Sequence, residues 1–121
     1  MIRGIRGATT VTADTEAEII QAAEALMQDL IESNGIEADM VASVFFSTTE
    51  DIQAAFPAKA LRNIDGWTYV PVMCMKEIPV AGALKSCIRV MVHVNTEKSQ
   101  QDIQHIYHGN AVRLRPDLQN D

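Results

Sequence analysis

Every second residue between Cys87 and Asn95 is an aliphatic side chain, and these aliphatic residues are Ile88, Val90, Val92 and Val94. Successive side chains of a strand point to opposite faces, so this alternation predicts a strand with one apolar face and one mixed face. Arg89 belongs to the mixed face. We therefore expect its side chain to leave the sheet on the side opposite the hydrophobic core.

A second periodicity, with apolar residues three and four positions apart, runs through residues 19–31. This spacing places the apolar side chains along one face of an α-helix. Thr15 followed by Glu18 is a capping-box pattern at the start of the segment, and Asn34-Gly35 is a typical C-terminal stop. The sequence therefore predicts an amphipathic helix that begins at Thr15 and ends at Gly35.

The remaining predicted elements are shorter: strands at residues 2–11, 40–47 and around 67–70, a short helix from Pro57 to about Asn63, and a last helix from Ser99 to about His108. A loop is expected to hold Cys74, Glu77 and Gly82. Helices interleaved with strands, without a linker or an internal repeat, indicate a single domain over residues 1–121 of the α+β (mixed α/β) class. If helices cover one side of the sheet, its second face must pack against something, and a symmetric homo-oligomer is a common solution.

Charge is unevenly distributed along the chain. The formal net charge is -6, and ten Asp and Glu lie between Arg6 and Lys59 with no Lys or Arg among them. Residues 52–95 reverse this balance, with five Lys and Arg against two Asp and Glu. Nucleic acid and anionic membranes favour basic partners, so both are excluded as expected partners. The basic stretch is compatible either with a local anion site or with charges scattered over a solvated surface.

Neither a secretory signal nor a membrane span is recognisable, which leads us to expect a cytoplasmic protein. Cys74 and Cys87 are the two cysteines, and neither belongs to a CxxC pair, so reduced thiols are expected. His105 and His108 would share a face of the last predicted helix, but no Asp or Cys nearby completes a metal site with them, and solvated histidines are the simpler interpretation. No metal is predicted.

Four segments resemble the Bacillus-type monofunctional chorismate mutases: IRGIRGATTV at residues 2–11, FPAKALRNIDGWTYVPVMCMKE at 56–77, LKSCIRVMVHVNT at 84–96 and VRLRPDL at 112–118. Ordered segments of this length are more specific than a short motif with wildcards. The resemblance implies a mixed β-sheet with helices on one face, and a homotrimer whose open faces pack around a central threefold axis. It also implies active sites between neighbouring subunits and no cofactor.

The reaction that the resemblance implies is the one-step pericyclic rearrangement of chorismate to prephenate in phenylalanine and tyrosine biosynthesis. A carbon–oxygen bond breaks while a carbon–carbon bond forms, so neither a nucleophile nor a metal is required. Catalysis then depends on holding the flexible enolpyruvyl arm over the ring and on stabilising the charge that separates as the ether bond stretches. Fixed cationic donors such as arginines can do both.

Four residues match catalytic positions of the family. The resemblance implies that Arg89 points its guanidinium at the ether oxygen, Arg6 binds a carboxylate, Glu77 accepts a hydrogen bond from the ring hydroxyl, and Cys74 lies beside that hydroxyl. Considered singly, each residue also fits another role. These roles are an interface salt bridge for Arg89, a solvated edge charge for Arg6, an ion pair with Lys76 or Lys85 for Glu77, and buried packing for Cys74.

The residues that the resemblance assigns to substrate binding are Arg6, Tyr107, Phe56, Lys59, Arg62, Arg115 and Met73. The Tyr107 hydroxyl would help to bind a carboxylate, although half-buried packing fits an isolated tyrosine equally well. Phe56, Lys59, Arg62 and Arg115 would reach the cleft from the neighbouring subunit. Met73 stands where a threonine is common, so it is expected to contribute only backbone contacts. The chain ends three residues after Leu118, which leaves open whether Arg115 is ordered over the cleft as a lid.

Two other functions remain compatible with the sequence. A reactive-imine deaminase is also a small trimer with an interfacial arginine and a related fold, but that family lacks the combination of motifs seen here. A non-catalytic trimeric module that binds a metabolite anion and regulates a partner is the second alternative. Turnover of chorismate, as opposed to binding alone, would separate these possibilities.

Overall fold

The computed structural model describes residues 1–114 of the chain. Within this range the main elements are β1 (Ile2–Thr10), α1 (Glu16–Asn34), β2 (Val41–Thr48), β3 (Val72–Lys76), β4 (Cys87–Asn95) and β5 (Ile106–Tyr107). Short 3-10 helices lie at Ala38–Met40, Pro57–Asn63, Gln100–Asp102 and Gly109–Arg113. The α+β class expected from the sequence is confirmed.

The strands form one mixed sheet in the order β3-β2-β4-β1-β5. The central strand β4 is antiparallel to both β1 and β2, whereas the edge strands β3 and β5 are parallel to their neighbours. All four aliphatic residues of the β4 alternation are buried against the core, and Arg89 is exposed on the other face. The sequence pattern therefore predicted this strand and the direction of its arginine correctly.

Helix α1 covers one face of the sheet through fully buried residues that include Ile19, Leu26 and Leu30. The Thr15 hydroxyl accepts the N–H of Glu18 at 3.2 Å, and Gly35 adopts the left-handed conformation that ends the helix, with φ of 61°. Both predicted ends of the helix are confirmed. No helix within residues 1–114 is both long enough and apolar enough to cross a membrane.

The predicted strand at residues 67–70 is wrong. Those residues form turns, in which the N–H of Trp67 donates to the Ile64 carbonyl at 3.3 Å and the N–H of Val70 donates to the Trp67 carbonyl at 3.2 Å. Trp67 is buried in the core from this turn. The strand lies further along the chain, where Val72–Lys76 pairs in parallel with β2. Cys74 is therefore part of a strand and not of a loop.

The predicted last helix is also wrong. Only Gln100–Asp102 is helical, as a 3-10 turn, and the chain then extends into β5 beside β1. Asn34 explains the difference, because its side chain accepts the N–H of Gln104 at 2.8 Å and donates to the Gln104 carbonyl at 2.9 Å. These two bonds hold the segment extended, so His105 and His108 do not share a helical face.

Candidate active site on the open face of the sheet

The sheet face opposite α1 carries a row of side chains that crosses the five strands described above. The strand register aligns Tyr107 with Ala8, Ala8 with Arg89, Arg89 with Ser47, and Ser47 with Met75. Residues aligned in this way project from the same face of a sheet. The small Ala8 side chain therefore leaves space between Tyr107 and Arg89.

A cleft of about 400 Å³ occupies that space. Arg6, Arg89 and Tyr107 line it together with apolar residues that include Phe45 and Met91. Arg6 lies two residues before Ala8 on β1, so its side chain leaves from the same face as Arg89. Three residues that the sequence placed at the site, from three different strands, thus converge on one cavity of a size that suits a small molecule.

Glu77 adjoins this cleft through an ion pair with Arg89. Its Oε2 atom lies 3.3 Å from Arg89 Nε, and the Ser47 hydroxyl donates to the same oxygen at 3.3 Å. The N–H of Ile78 donates to Oε1 at 3.0 Å, and the backbone N–H of Glu77 donates to the Thr48 carbonyl at 2.8 Å. Glu77 is therefore held from several directions at the edge of the cleft.

The structure pairs the Glu77 carboxylate with neither of its two alternative partners, which were Lys76 and Lys85. The ammonium group of Lys76 lies 3.8 Å from Glu50 Oε2, and both side chains are exposed. The sequence could not identify Arg89 as the partner, because the two residues are joined by a loop whose path a local pattern does not define.

A second group of predicted site residues lies apart from the cleft. Phe56, Lys59, Arg62 and Cys74 line a groove of about 640 Å³ between β3 and the 3-10 helix Pro57–Asn63. In β3, Cys74 projects to the face opposite that of Met75, and so away from the Arg89 row. Lys59 pairs with Glu16 at 3.1 Å beside this groove. Within one chain these four residues and the arginine cleft do not form a single cavity.

Two further predicted residues have different outcomes. Met73 lies on the open face of β3, aligned with Phe45, and its side chain is 62% exposed. Arg115 lies outside the described residues. Sequence reasoning did not single out Phe45, Ser47 or Met91 as site residues. The alternation of β4 places Met91 on the face of Arg89, whereas only the register of β2 with β4 brings Phe45 and Ser47 to that face.

The two cysteines, Cys74 in the groove and Cys87 at the start of β4, both have raised thiol pKa values. Burial raises the pKa of Cys74, and a hydrogen bond with the backbone of Ala58 opposes the shift only in part. Burial also raises the pKa of Cys87, although the nearby Arg89 guanidinium lowers it to a smaller extent. A thiol is a poor nucleophile until it is ionised, so the site offers cationic and hydroxyl hydrogen-bond donors and no activated cysteine. Within residues 1–114 no three His, Cys, Asp or Glu side chains come together in a group that could hold a metal ion.

Known proteins resemble this chain over almost its whole length. A family model described as chorismate mutase type I matches residues 2–118. Chorismate mutase AroH of Bacillus subtilis (strain 168) is 52% identical over 118 residues, which cover 98% of this chain and 93% of the relative. Chorismate mutase AroH of Thermus thermophilus is 46% identical over 121 residues, which cover 99% of this chain and 98% of the relative.

The fold leads to the same group of proteins. A solved structure of a chorismate mutase from Clostridium thermocellum matches with a TM-score of 0.87 and 50% sequence identity, over 90% of this chain and 96% of that one. The sequence and the architecture agree, and the chain belongs to the type I chorismate mutase family.

Proposed function

We propose that the protein rearranges chorismate to prephenate, a step of phenylalanine and tyrosine biosynthesis, and that it does so without a cofactor. The convergence of Arg6, Arg89 and Tyr107 on one partly apolar cleft carries this proposal. The substrate is a compact dicarboxylate with an ether oxygen between its two parts. Two guanidinium groups and a phenol hydroxyl are hydrogen-bond donors that suit carboxylate and ether oxygens.

Arg89 has the central role in this proposal. As the carbon–oxygen bond breaks and the new carbon–carbon bond forms, negative charge accumulates on the ether oxygen. A guanidinium donor held beside that oxygen binds the transition state more strongly than the ground state, and only such differential binding speeds the chemical step. The ion pair with Glu77 uses the Nε atom of Arg89, so the substrate would meet its terminal nitrogens.

The other residues of the cleft would bind and orient. Arg6 and the Tyr107 hydroxyl would take carboxylate oxygens and hold the enolpyruvyl arm over the ring, which reduces the entropy lost on reaching the transition state. Glu77 would accept a hydrogen bond from the ring hydroxyl and place negative charge near the ring as it becomes cationic. Its bonds to Ser47 and Arg89 support this role by fixing the carboxylate in place.

A homotrimer with interfacial sites is part of the proposal. The groove that holds Phe56, Lys59, Arg62 and Cys74 is separate from the arginine cleft within one chain. In a symmetric assembly the groove of one subunit can complete the cleft of the next. Phe56 would supply an apolar wall, and Lys59 and Arg62, together with Arg115 from the C-terminal segment, would attract the dianion into the site.

A cytoplasmic location is also proposed. Cys74 and Cys87 are both free thiols in the structure. Free thiols persist in reducing compartments, whereas secreted proteins tend to form disulfides. The proposal would be contradicted if the protein in its native cells were recovered from an extracellular or periplasmic fraction.

The first test is turnover of chorismate by the purified protein in the presence of a metal chelator. The loss of chorismate absorbance in the ultraviolet measures the rate, and acid conversion of the product to phenylpyruvate identifies it as prephenate. Metal-independent formation of prephenate is the expected result. A folded protein that binds chorismate without converting it would instead be the anion-binding module considered above.

A further inference from the structure

A carboxylate outside the cleft, Asp51, holds the chain at the point where the loop of residues 77–86 returns to the sheet. Its Oδ2 atom accepts the backbone N–H of Ser86 at 2.9 Å and the Ser86 hydroxyl at 3.0 Å. Its Oδ1 atom lies 3.2 Å from the same N–H and accepts the Thr49 hydroxyl at 2.5 Å. The hydrogen bond from Thr49 and, to a smaller extent, those from Ser86 lower the pKa of Asp51, so the carboxylate is ionised at neutral pH.

The residue that Asp51 holds has an unusual backbone conformation. Ser86 has φ of 53° and is the one residue other than glycine with positive φ within residues 1–114. The left-handed conformation is unfavourable for a residue with a side chain, so it persists only where surrounding contacts compensate for it. Besides the bonds to Asp51, the Ser86 carbonyl accepts the N–H of Val11 at 2.9 Å. Ser86 is therefore fixed between β1 and the segment that follows β2.

Contacts on both sides of Ser86 lead to the arginine cleft. The next residue, Cys87, donates its N–H to the Thr49 hydroxyl at 3.0 Å and accepts the Thr49 N–H at 3.0 Å, and Arg89 follows two residues later on β4. At the other end of the loop, the backbone N–H of Glu77 donates to the Thr48 carbonyl. Both ends of the loop are thus attached to residues 48–51.

We infer that Asp51 is a positioning residue for the Glu77–Arg89 pair. By holding Ser86 in the left-handed conformation it sets where β4 begins, and with it where the Arg89 guanidinium meets Glu77 and the substrate. Asp51 contacts neither member of the pair in any hydrogen bond or ion pair that the structure records, so its effect passes through the backbone. The catalytic part of this inference rests on the proposed function.

Asp14 provides a matched control. It is another exposed carboxylate that accepts backbone hydrogen bonds beside the same turn, with the N–H groups of Gln53 and Ala54 each 3.0 Å from its Oδ1 atom. Its bonds hold the chain after Asp51 and not the loop that returns at Ser86. Asp14→Ala therefore removes two backbone hydrogen bonds beside the turn without removing those of Ser86.

The first experiment follows amide hydrogen exchange in the full-length protein, which reports on the loop whether or not the protein is active. Asp51→Ala should raise the exchange rate at Ser86 by about tenfold or more, because the Ser86 N–H loses its acceptor. The rate at Cys87 should rise to a smaller extent, because the Thr49 hydroxyl that accepts the Cys87 N–H loses its own bond to Asp51. Asp51→Asn should raise them less, since one side-chain oxygen remains. Asp14→Ala should leave these two amides unchanged. Unchanged exchange at Ser86 in Asp51→Ala would overturn the inference.

The second experiment measures the steady-state kinetics of chorismate turnover for the same variants. Asp51→Ala should lower kcat by about tenfold to a hundredfold, the scale of loss expected from a small misplacement of a catalytic group. KM should change much less, because Arg6 and Tyr107 lie on β1 and β5. Asp51→Asn should recover part of kcat, and Asp14→Ala should retain all of it.

The outcomes separate this inference from the proposed function. Normal kcat in Asp51→Ala, with an active wild-type protein, would overturn the positioning role alone. Absence of turnover in the wild-type protein would overturn the proposed function and the catalytic part of the inference, while hydrogen exchange would still decide whether Asp51 orders the loop. If Asp51→Ala does not fold, Asp51→Asn carries both measurements, because it retains an acceptor for the Ser86 N–H.

Discussion

The Arg89 guanidinium and the Glu77 carboxylate form a partly exposed ion pair, with side chains 46% and 28% exposed. A pair with this exposure adds little to the stability of a fold, because water screens the attraction. The pair instead fixes the orientation of the two side chains, since the Ser47 hydroxyl and the Ile78 N–H also donate to the carboxylate. At the residue scale, Glu77 thus holds the Arg89 guanidinium through its Nε atom, and the rest of the guanidinium faces the cleft.

Replacement of this guanidinium tests the role of Arg89 directly. Arg89→Ala should lower kcat by roughly a hundredfold or more, because it removes the donor that is proposed to act on charge developed in the transition state. Arg89→Lys should restore only part of the rate, since an ammonium group cannot reproduce the planar geometry of a guanidinium. Steady-state kinetics of chorismate turnover measure both effects.

Arg3→Ala is the matched control for these variants. Arg3 also lies on a strand of the sheet, but its Nε atom donates to the Lys98 carbonyl at 3.0 Å, away from the cleft. Its replacement should leave kcat unchanged. Near-normal activity of Arg89→Ala would remove Arg89 from the mechanism.

At the scale of elements, the position of β5 depends on the end of α1. Asn34 is the last residue of the helix and is 4% exposed, and its amide also donates to the Leu30 carbonyl at 2.9 Å. Its two bonds to Gln104 join the helix to the segment that leads into β5, which carries Tyr107. One buried side chain thus places a cleft residue that lies far from it in the sequence.

Asn34→Ala should lower the free energy of unfolding by about 1–3 kcal/mol, because the backbone groups of Gln104 lose their buried partners. Urea denaturation measures the change. Asn63→Ala is the control, since the Asn63 side chain donates to Glu24 at 3.2 Å on an exposed surface. Its replacement should change the unfolding free energy by much less. Equal losses of unfolding free energy in the two variants would show that the buried hydrogen bonds of Asn34 stabilise the fold no more than an exposed one does.

A second link, between α1 and the segment that follows β5, should depend on pH. His108 Nε2 lies 2.8 Å from Asp29 Oδ2, and this hydrogen bond is the main reason that the pKa of Asp29 falls below its ordinary value of 3.8. The unfolded chain therefore binds a proton more readily than the folded one. The stability that Asp29 contributes is present above pH 3.8 and is lost as the pH falls through the lower folded pKa.

Asp29→Asn should accordingly be less stable than the wild type at about pH 5, and the difference should shrink as the pH is lowered below the ordinary carboxyl pKa. Thermal unfolding across this range measures the effect. Asp65→Asn, in the exposed turn at Gly66, is the control. A stability difference for Asp29→Asn that stayed constant with pH would contradict this account of the pair.

At the scale of the whole molecule, the open face of the sheet combines charged and apolar groups. Phe45, Met73, Met75 and Met91 share it with the two cleft arginines, and Met73 and Met75 are exposed in one chain. Exposed apolar groups on a sheet face that helices leave uncovered are typical of association surfaces. In the proposed assembly, the separate groove beside β3 would supply the second half of the site.

The proposed assembly predicts a solution mass three times the 13.3 kDa of one chain, which sedimentation equilibrium can measure. Phe45→Glu should disrupt the trimer and abolish turnover together, because it places a charge on the face where subunits are proposed to meet. Gln21→Glu, on the exposed face of α1, should leave mass and activity unchanged. A wild-type protein that is monomeric and fully active would overturn the interfacial site.

Local patterns in the sequence determined α1, β1, β2 and β4 of this protein. The two ends of α1 follow from Thr15 and Gly35, and the face from which Arg89 projects follows from the alternation of β4. These features depend on burial period and on capping contacts within a few residues. The four long segments indicated the family, and the family indicated Arg6, Arg89 and Tyr107 as residues of the cleft.

The tertiary structure alone decided the edge strands and the contacts that hold the site. Residues 99–108 begin with a helical start signal. The second half of this segment is nevertheless a strand, because it forms hydrogen bonds with Asn34 and pairs with β1. Residues 72–76, which are rich in methionine, form a strand only because they pair with β2. The Glu77–Arg89 pair and the hold of Asp51 on Ser86 likewise join residues far apart along the chain. Such contacts depend on which segments meet in space, and no pattern within a single segment encodes that meeting.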